Sequence, residues 1–320
     1  MDVLSIGNAT IDVFVILHKL QKFTYDKFAN QISFPLGEKI PLDEYKLCIG
    51  GNACNVAVGL SRLGLQTSLA AEIGDDEFSQ RIIRELEKER VDQKFIKKLH
   101  EDDPHFNIIL SYDGERTILA EKNPHKVELK VDDINPQFIY LTSFGGDWKS
   151  LYDYLFPVSA DSLIGFNPGS RQINENLNDV IGYLPKIEIL FLNLEEAKKI
   201  ARNDTPDIKD LLRKVKDLGP KNVSITDGAN GSYGIDKSGQ MFQIGTLGER
   251  PVERTGAGDS YAAGFIYGYL NKKGVDECMR LGAINASSVI KTVGSQDGLL
   301  KKEEIEQKVK ENTSLTSVKI

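Results

Sequence analysis

The strongest chemical signal in the sequence is a glycine-rich run, Thr255-Gly256-Ala257-Gly258-Asp259. Apolar residues follow it at helical spacing, so the run predicts the N-terminus of a helix. A helix N-terminus presents unpaired N–H groups, and glycines let an anion approach the backbone closely. Asp259 would repel a phosphate, but it can accept a proton from an attacking hydroxyl. An anion site beside a base is what phosphoryl transfer to an alcohol requires.

Two familiar nucleotide-binding motifs do not explain this run. The chain has no GxxxxGK[ST] sequence, so the run is not a Walker A loop. The residue three positions after Gly258 is Tyr261 rather than glycine, so it is not a Rossmann fingerprint. A helix start at which Asp259 only complements the helix dipole is the structural alternative, and for an isolated run it would be preferred.

A second glycine-rich helix start is predicted at Gly50-Gly51-Asn52. Apolar residues at helical spacing follow it, and Gly64 ends the helix. Two adjacent glycines again permit close approach of a ligand to the backbone. The sequence therefore contains two candidate binding loops that lie far apart along the chain.

Strands and helices that could position these loops alternate through most of the chain. We predict buried strands from apolar runs bounded by turn residues, with helical stretches between most of them. This order implies a mostly parallel sheet. The predicted strands are Val3–Gly7, Thr67–Ile73, Phe138–Leu141, Ser162–Phe166, Ile187–Leu192 and Asn222–Thr226.

A β-rich sub-domain is predicted from two other stretches. Residues 13–49 sustain no helical period and read as extended segments and turns. Phe106–Tyr112 and Glu115–Ala120 flank Asp113-Gly114, which is a strong signal for a hairpin. We expect this hairpin to join the same small sheet as residues 13–49.

Composition excludes several classes of function. The 320 residues carry a net charge of −7, and no Lys/Arg cluster lacks interleaved acids, which argues against a nucleic-acid partner. No apolar run approaches the roughly 20 residues that span a bilayer, and Met1–Ile6 resembles no secretory signal, so we expect a cytoplasmic protein without a membrane partner. Three widely spaced cysteines predict neither a disulfide framework nor a zinc site.

The two glycine-rich motifs together resemble the signatures of the ribokinase-like, or PfkB, family of carbohydrate and nucleoside kinases. Thr255–Asp259 is similar to the C-terminal signature of that family. Gly50-Gly51-Asn52-Ala53-Cys54-Asn55-Val56-Ala57, followed by Leu63-Gly64, is similar to the N-terminal one. The resemblance covers essentially the whole chain. It implies an α/β fold, a three-layer α/β/α sandwich with a mostly parallel central sheet, and a small β-sheet lid. The expected core is 1–12, 50–104 and 121–320, and the expected lid is 13–49 and 105–120.

The resemblance also implies a substrate site. Gly7 and Asp12 look like the family's Gly-x4-Asp element, in which the carboxylate holds substrate hydroxyls. Asp12 would follow the first strand, at the edge where α/β sheets bind ligands. Asn55 could equally be a structural residue near the helix start. The implied substrate-binding residues are Asp12, Gly50, Gly51, Asn52 and Asn55.

A nucleotide site is implied on the other side of the glycine-rich run. Asn193 and Glu196 match an Asn-x-x-Glu element that acts on phosphates through magnesium and water, although the same pair also fits a helix capping box. The remaining implied nucleotide-binding residues are Thr226, Gly228, Gly231, Thr255 and Asn285. Relatives usually have Asp and Ser where this chain has Glu253 and Gly298, which argues against potassium activation.

The predicted function is an ATP-dependent kinase that phosphorylates a hydroxyl of a small sugar. Asp259 would be the base, the amides of Gly256, Ala257 and Gly258 would stabilise the transferring phosphoryl group, and magnesium would bridge the ATP phosphates. Lid closure would exclude water, and a homodimer through the apolar lid is the favoured assembly.

Other functions remain open at this stage. Lid residues Phe14, Phe34 and Phe106 could stack on the base of a nucleoside, or simply form the lid core. A phosphosugar substrate would need extra cations, for which Arg116 is the hairpin candidate. A non-catalytic sugar or nucleotide sensor on the same fold is a further alternative, and a dehydrogenase lacks its fingerprint.

Overall fold

The computed structural model describes residues 1–17, 23–42, 44–99, 106–113, 115–120, 127–132, 134–159 and 161–320. His105, expected as the first residue of the second lid segment, lies outside the described residues, as does Gly114 of the predicted hairpin turn.

Strands occur in all regions where the sequence predicts them. The described strands are β1 (Val3–Ile6), β2 (Thr10–Ile16), β3 (Thr24–Asp26), β4 (Gln31–Ser33), β5 (Tyr45–Gly50), β6 (Thr67–Ile73), β7 (Asp92–Lys98), β8 (Phe106–Tyr112), β9 (Glu115–Ala120), β10 (Phe138–Thr142), β11 (Leu163–Asn167), β12 (Ile189–Asn193), β13 (Asn222–Thr226), β14 (Ser232–Ile235), β15 (Met241–Ile244) and β16 (Val318–Lys319).

Helices separate most of the central strands, as predicted. The described α-helices are α1 (Asn52–Arg62), α2 (Glu77–Lys88), α3 (Trp148–Val158), α4 (Ser170–Tyr183), α5 (Leu194–Ala201), α6 (Ile208–Asp217), α7 (Ala257–Leu270), α8 (Val275–Val289) and α9 (Lys302–Glu311).

The central sheet has ten strands in the order β16-β15-β14-β13-β12-β11-β10-β1-β6-β7. The seven strands from β13 to β7 pair in parallel, and β14, β15 and β16 extend the sheet in antiparallel fashion. The predicted mostly parallel sheet is confirmed. Neither β7 nor the antiparallel edge was predicted from the sequence.

Side chains from successive residues of the central strands enter two different cores. On β10, Ile139 and Leu141 pack into one core, whereas Phe138 and Tyr140 pack into the other. The first core contains apolar residues of α3, α4, α5 and α6, and the second contains those of α1, α7, α8 and α9. Continuous apolar runs are expected where helices cover both faces of a sheet. The predicted three-layer α/β/α architecture is therefore confirmed.

The small sheet has the order β5-β2-β8-β9. Strand β2 pairs antiparallel with β5 and parallel with β8, and the β8–β9 hairpin pairs Ile109 with Ile118. The expectation that the hairpin joins the sheet of residues 13–49 is confirmed. The division of the chain into a core and a lid with the boundaries given above stays a prediction.

The position of Asp12 has to be corrected. We expected it at the end of the first strand, but it lies inside β2, where it pairs with Cys48 of β5 and Asn107 of β8. The run from Thr10 to Ile16 is rich in β-branched and aromatic residues, so the strand continues through the carboxylate. Asp12 therefore belongs to the small sheet.

The face of the small sheet that carries Val15 and Leu17 is covered by another part of the chain. Val15 and Leu17 form a cluster with residues in and around β3 and β4, including Phe23, Ile32 and Ile40.

Within the described residues, no helix is both long enough and apolar enough to cross a membrane.

Helices α7 and α8 pack closely enough to exclude a side chain between them. A Cβ on Gly264 of α7 would lie 2.6 Å from the carbonyl oxygen of Leu281 on α8. Residues 259–268 of α7 are all buried. This packing fixes the helix whose first turn carries Asp259.

We expect Gly264→Ala to lower the free energy of unfolding by about 1–3 kcal/mol, because the helices must move apart. The matched control is Gly182→Ala in α4, where an added Cβ meets nothing within 4 Å. That variant should be neutral or more stable by up to about 1 kcal/mol, because alanine is the better helix former. Urea unfolding of both variants measures the difference, and equal stabilities would contradict the packing argument.

Candidate active site

A cleft of about 440 Å³ lies between the small sheet and the carboxyl edge of the central sheet. Its floor consists of residues at or just after the ends of parallel strands, where open α/β sheets bind ligands. These floor residues are Asn8, Ser143, Asn167, Asn193 and Thr226. The small sheet contributes Asp12, Asn107, Ile109, Arg116, Ile118 and Ala120 to the opposite wall.

Asp259 lines this cleft from the first turn of α7, and its side chain is only 7% exposed. Burial raises its pKa from 3.8 to about 7. The hydrogen bond from Asn55 and the charge of Arg116 act to lower that pKa, whereas the charge of Asp12 acts to raise it. A carboxyl group with such a pKa changes its protonation state near neutral pH.

Asn55 orients the side chain of Asp259, the candidate base. Its Nδ2 donates to Asp259 Oδ2 at 2.7 Å. Its Oδ1 accepts from Ser295 Oγ and Gln296 Nε2, each at 3.0 Å, which fixes the amide with its nitrogen towards Asp259. The sequence left the role of Asn55 open between substrate contact and structural residue. Its contacts in the structure are those of a side chain that orients Asp259.

Gly256 shapes the start of α7. It adopts a left-handed backbone with φ 82°, and a Cβ there would lie 2.6 Å from Ser295 Cβ. In the described part of the chain, the N–H groups of Gly256 and Gly258 meet no acceptor, and both residues line the cleft. They are free to bind an anion beside Asp259.

The amide of Ala257 differs from those of the two glycines beside it. Its N–H donates to the carbonyl oxygen of Arg254 at 3.2 Å, and the residue is not part of the cleft wall. The turn that leads into α7 uses this donor, and binding of a phosphoryl group by it stays a prediction.

Glu253 organises the backbone before the glycines, a role that the sequence analysis missed. It is fully buried, and its Oε1 accepts from the N–H groups of Arg254 and Thr255 at 2.8 and 3.0 Å. The hydroxyl of Thr255 donates to the same oxygen at 2.8 Å. Thr255 was predicted to bind the nucleotide. In the structure its N–H and hydroxyl both face Glu253, so these two groups stabilise the shape of the loop.

Asp12 forms a second polar centre in the cleft. Its Oδ1 accepts from Thr10 Oγ1 at 2.9 Å and from Asn107 Nδ2 at 2.8 Å, and burial raises its pKa. Gly50 lies directly beneath the carboxylate, since an added Cβ would be 1.9 Å from Asp12 Oδ2. Gly51 and Asn52 line the cleft at the start of α1, so all predicted substrate residues lie at or beside one site.

Asn107 is a site residue that the sequence analysis did not name. Its position on β8 opposite Asp12 depends on the parallel pairing of two strands distant in sequence. The sequence feature that could have revealed Asn107 is the alternation of side chains along β8, which places Asn107 and Ile109 on one face of the strand.

Asn193 and Glu196 line the cleft at the end of β12 and the start of α5. Asn193 Oδ1 accepts from the Glu196 N–H at 2.9 Å, and Glu196 Oε2 accepts from the Asn193 N–H at 3.0 Å. The pair is therefore a capping box that also lines the cleft, and its action on phosphates stays a prediction. Burial raises the pKa of Glu196. Within the described residues, no cluster of three or more His, Cys, Asp or Glu side chains could hold a metal ion.

The remaining predicted nucleotide residues separate into two groups. Thr226 ends β13 and lines the cleft, whereas Gly228 and Gly231 follow on the adjoining loop, outside the cleft wall. The nucleotide contact of Asn285 stays a prediction, and the structure places this residue in the packing of two helices. This side chain is fully buried, donates to the Ser260 carbonyl at 2.8 Å and accepts from the Leu300 N–H at 3.1 Å. It joins α8 to α7 and does not reach the cleft.

Comparison with known proteins identifies the family. A family model described as pfkB family carbohydrate kinase matches residues 23–302. The chain belongs to this family. The kinase is 28% identical over 249 residues to an uncharacterized sugar kinase of Archaeoglobus fulgidus, covering 76% of this chain and 98% of the relative. It is also 28% identical over 311 residues to a 5-dehydro-2-deoxygluconokinase of Geobacillus kaustophilus, covering 90% and 91% of the two chains.

The fold agrees with that of a solved kinase structure. A nucleoside kinase of Methanocaldococcus jannaschii, an archaeal member of the ribokinase family, superposes with a TM-score of 0.81 at 20% identity, covering 97% of this chain and 98% of the other. The resemblance inferred from the motifs is confirmed, and so are the ribokinase-like fold and the predicted function as an ATP-dependent sugar kinase.

The raised pKa of Asp259 predicts a cost in stability at alkaline pH. Unfolding returns the pKa from about 7 to 3.8, so the folded state loses stability as pH rises through this window. Asp259→Asn removes the titration, and its stability advantage over the wild type should grow by about 2–3 kcal/mol between pH 5 and pH 8. Urea unfolding at both pH values measures this difference. A constant difference would show that the carboxyl is not raised to neutral pH.

Proposed function

We propose that this kinase transfers the γ-phosphate of ATP to a hydroxyl of a small sugar, with Asp259 as the base. The observation that carries the proposal is the combination of a buried carboxyl of pKa about 7 with the unpaired N–H groups of Gly256 and Gly258. One group removes a proton from the attacking oxygen, and the others stabilise negative charge on the group being transferred.

The base is suited to its task by its surroundings. A general base is most effective when its pKa is near the working pH, because it is then both ionised and basic. Asn55 orients the carboxylate with one hydrogen bond and leaves it able to accept the hydroxyl proton. As the sugar oxygen attacks the γ-phosphorus, its proton passes to Asp259 and ADP leaves.

The other polar groups position the two substrates. Asp12, with Asn107 beside it, can accept hydrogen bonds from sugar hydroxyls and so hold one of them in line with Asp259. The unpaired amides at the α7 N-terminus would face the γ-phosphate.

Magnesium fits the phosphate side of the cleft. The ion prefers oxygen ligands and is commonly held by one or two carboxylates together with substrate phosphates and waters. Glu196 and Asn193 supply such oxygens in the cleft wall, and Glu196 would act on the ion through water. Bound there with ATP, magnesium would neutralise charge on the phosphates.

A sugar is a better acceptor for this cleft than a nucleoside. Of the three lid aromatics that could stack on a base, Phe14 is fully buried and Phe34 packs near Phe23. Phe106 does line the cleft. One sequence relative is named as a sugar kinase and the other as a 5-dehydro-2-deoxygluconokinase, whereas the likeness to the nucleoside kinase supports the fold alone.

Two further features belong to this proposal. A cytoplasmic location is supported by the use of ATP and by the sequence composition. Pairing of two copies through the lid is supported by apolar side chains exposed there, including Phe28, Leu36 and Leu119.

Asp259→Asn should fold and bind ATP like the wild type but lower kcat by about 10²–10⁴-fold, because the base is lost. The assay is coupled ADP release over a panel of sugars, sugar acids, sugar phosphates and nucleosides. Asp204→Asn, an exposed acid in a distant loop, is the matched control and should keep full activity. Retained turnover in Asp259→Asn would remove the base role, and wild-type ligand binding without any ADP release would favour the sensor.

The pH dependence of kcat/KM should show an acid limb with an apparent pKa of about 7, because Asp259 must be ionised to accept a proton. Asn55→Ala should move this limb to higher pH, since the lost hydrogen bond stabilises the carboxylate. Initial rates at low sugar concentration between pH 5 and pH 9 measure both profiles. A flat profile, or a limb that Asn55→Ala leaves in place, would contradict the assignment.

A further inference from the structure

We propose that the sugar this kinase phosphorylates is an anion, either a sugar acid or a sugar phosphate, and that Arg116 binds its negative group. The inference rests on the function proposed above and extends it to the class of substrate. It is carried by the position of Arg116 in the cleft and by the lack, among the described residues, of a carboxylate in ion-pair contact with its guanidinium.

Arg116 belongs to the cleft face of the lid hairpin. Strand β9 alternates its side chains, and Arg116, Ile118 and Ala120 all line the cleft. Ile118 and Ala120 pair across the hairpin with Ile109 and Asn107, which line the same cleft. The guanidinium is therefore part of the wall that faces the catalytic edge of the central sheet.

The other arginines of the cleft already have acidic partners. Arg171 Nε lies 3.1 Å from a carboxylate oxygen of Glu175, one turn along α4. Arg254 forms an ion pair with Glu115. Among the residues that the structure describes, Arg116 has neither an ion pair nor a side-chain hydrogen bond.

The acids nearest to Arg116 in the hairpin are also occupied. Asp113 pairs with Arg250 at 3.3 Å, and Glu115 pairs with Arg254. Glu115 precedes Arg116 directly, so its side chain points to the other face of β9. The local acids are thus engaged by the loop before α7, and the charge of Arg116 is left for a ligand.

The order of groups along the lid wall gives the shape of that ligand. Asp12 and Asn107 form one end, Ile109 and Ile118 form an apolar middle, and Arg116 lies at the other end. Adjacent strand residues advance by about 3.4 Å, so Arg116 begins roughly 14 Å along β9 from Ala120, the partner of Asn107. A long arginine side chain can cover part of that distance towards the substrate.

Asp259 lines the same cleft as both ends of this wall. The charges of Asp12 and Arg116 both act on its carboxyl, in opposite directions. A substrate held by its hydroxyls at Asp12 and by its anionic group at Arg116 would therefore present an intermediate hydroxyl to the base. Arginine suits this role because its planar fork binds carboxylate and phosphate groups with two hydrogen bonds.

A different role for Arg116 is contact with the phosphates of ATP. That role would make Arg116 important for every acceptor and would raise the KM for ATP when it is removed. A substrate contact would instead affect charged acceptors alone. The two roles are separated by comparing acceptors of different charge in the same variant.

The experiment measures kcat/KM of the wild type and of Arg116→Gln, Arg116→Lys and Arg250→Gln by coupled ADP release. Matched acceptors are D-fructose against fructose 6-phosphate, and D-glucose against D-gluconate and 5-dehydro-2-deoxygluconate. Arg250→Gln is the control, because it removes a nearby positive charge outside the cleft. The full panel of the preceding section accompanies these pairs.

We expect the kcat/KM of the wild type for one anionic acceptor to exceed that for every neutral acceptor by at least about 10-fold. The identity of that acceptor then shows whether Arg116 binds a carboxylate or a phosphate. Arg116→Gln should lower kcat/KM for this acceptor by about 10- to 100-fold, with KM for ATP and the rates on neutral sugars nearly unchanged. Arg116→Lys should recover part of the loss, and Arg250→Gln should behave like the wild type.

Three results would overturn the inference. A neutral sugar or a nucleoside as the best acceptor would refute it while leaving the kinase function in place. Equal losses on charged and neutral acceptors, with a raised KM for ATP, would assign Arg116 to the nucleotide. Absence of ADP release with every acceptor in the wild type would refute the proposed function itself, and the inference with it.

Discussion

The burial of one carboxyl group at the start of a helix determines how the active site is built. Taking Asp259 out of water makes its charge costly, and that cost is what gives the group a basicity useful near neutral pH. The charge can still form because Asn55 donates to it, and Asn55 is itself held by Ser295 and Gln296. Three segments distant in sequence thus converge to set the properties of one side chain.

Local patterns predicted much of this fold because the central strands are buried on both faces. Strands such as β10 and β12 are apolar up to their last residue, and such runs stand out against the amphipathic helices between them. Strand β7 is different, since its sequence DQKFIKK is largely polar at the edge of the sheet. The edge strands β14 to β16 are two to four residues long, so they carry little pattern to detect.

The site was predictable to the extent that its residues sit in contiguous motifs. The glycine-rich starts of α1 and α7 fulfil that condition, and the structure brings both to the same cleft. Asn107 and Glu253 act through contacts that only the folded chain creates, with Asp12 in one case and with the Thr255 backbone in the other. Asn285 and Ala257 show the opposite case. Polar groups in or near a motif can form hydrogen bonds within the protein, and the motif does not reveal this.

The ion pair between the β8–β9 hairpin and the loop before α7 has a mechanical consequence. Arg254 attaches Glu115, at the rim of the small sheet, to the backbone that leads into the glycine-rich turn. A partly exposed pair of this kind is worth about 0–1 kcal/mol and weakens with salt. In the mechanism proposed above, a contact of this strength would favour the closed hairpin and still break easily enough for product to leave. Movement of the hairpin would then also release Arg254, so the sheet rim and the start of α7 would loosen together.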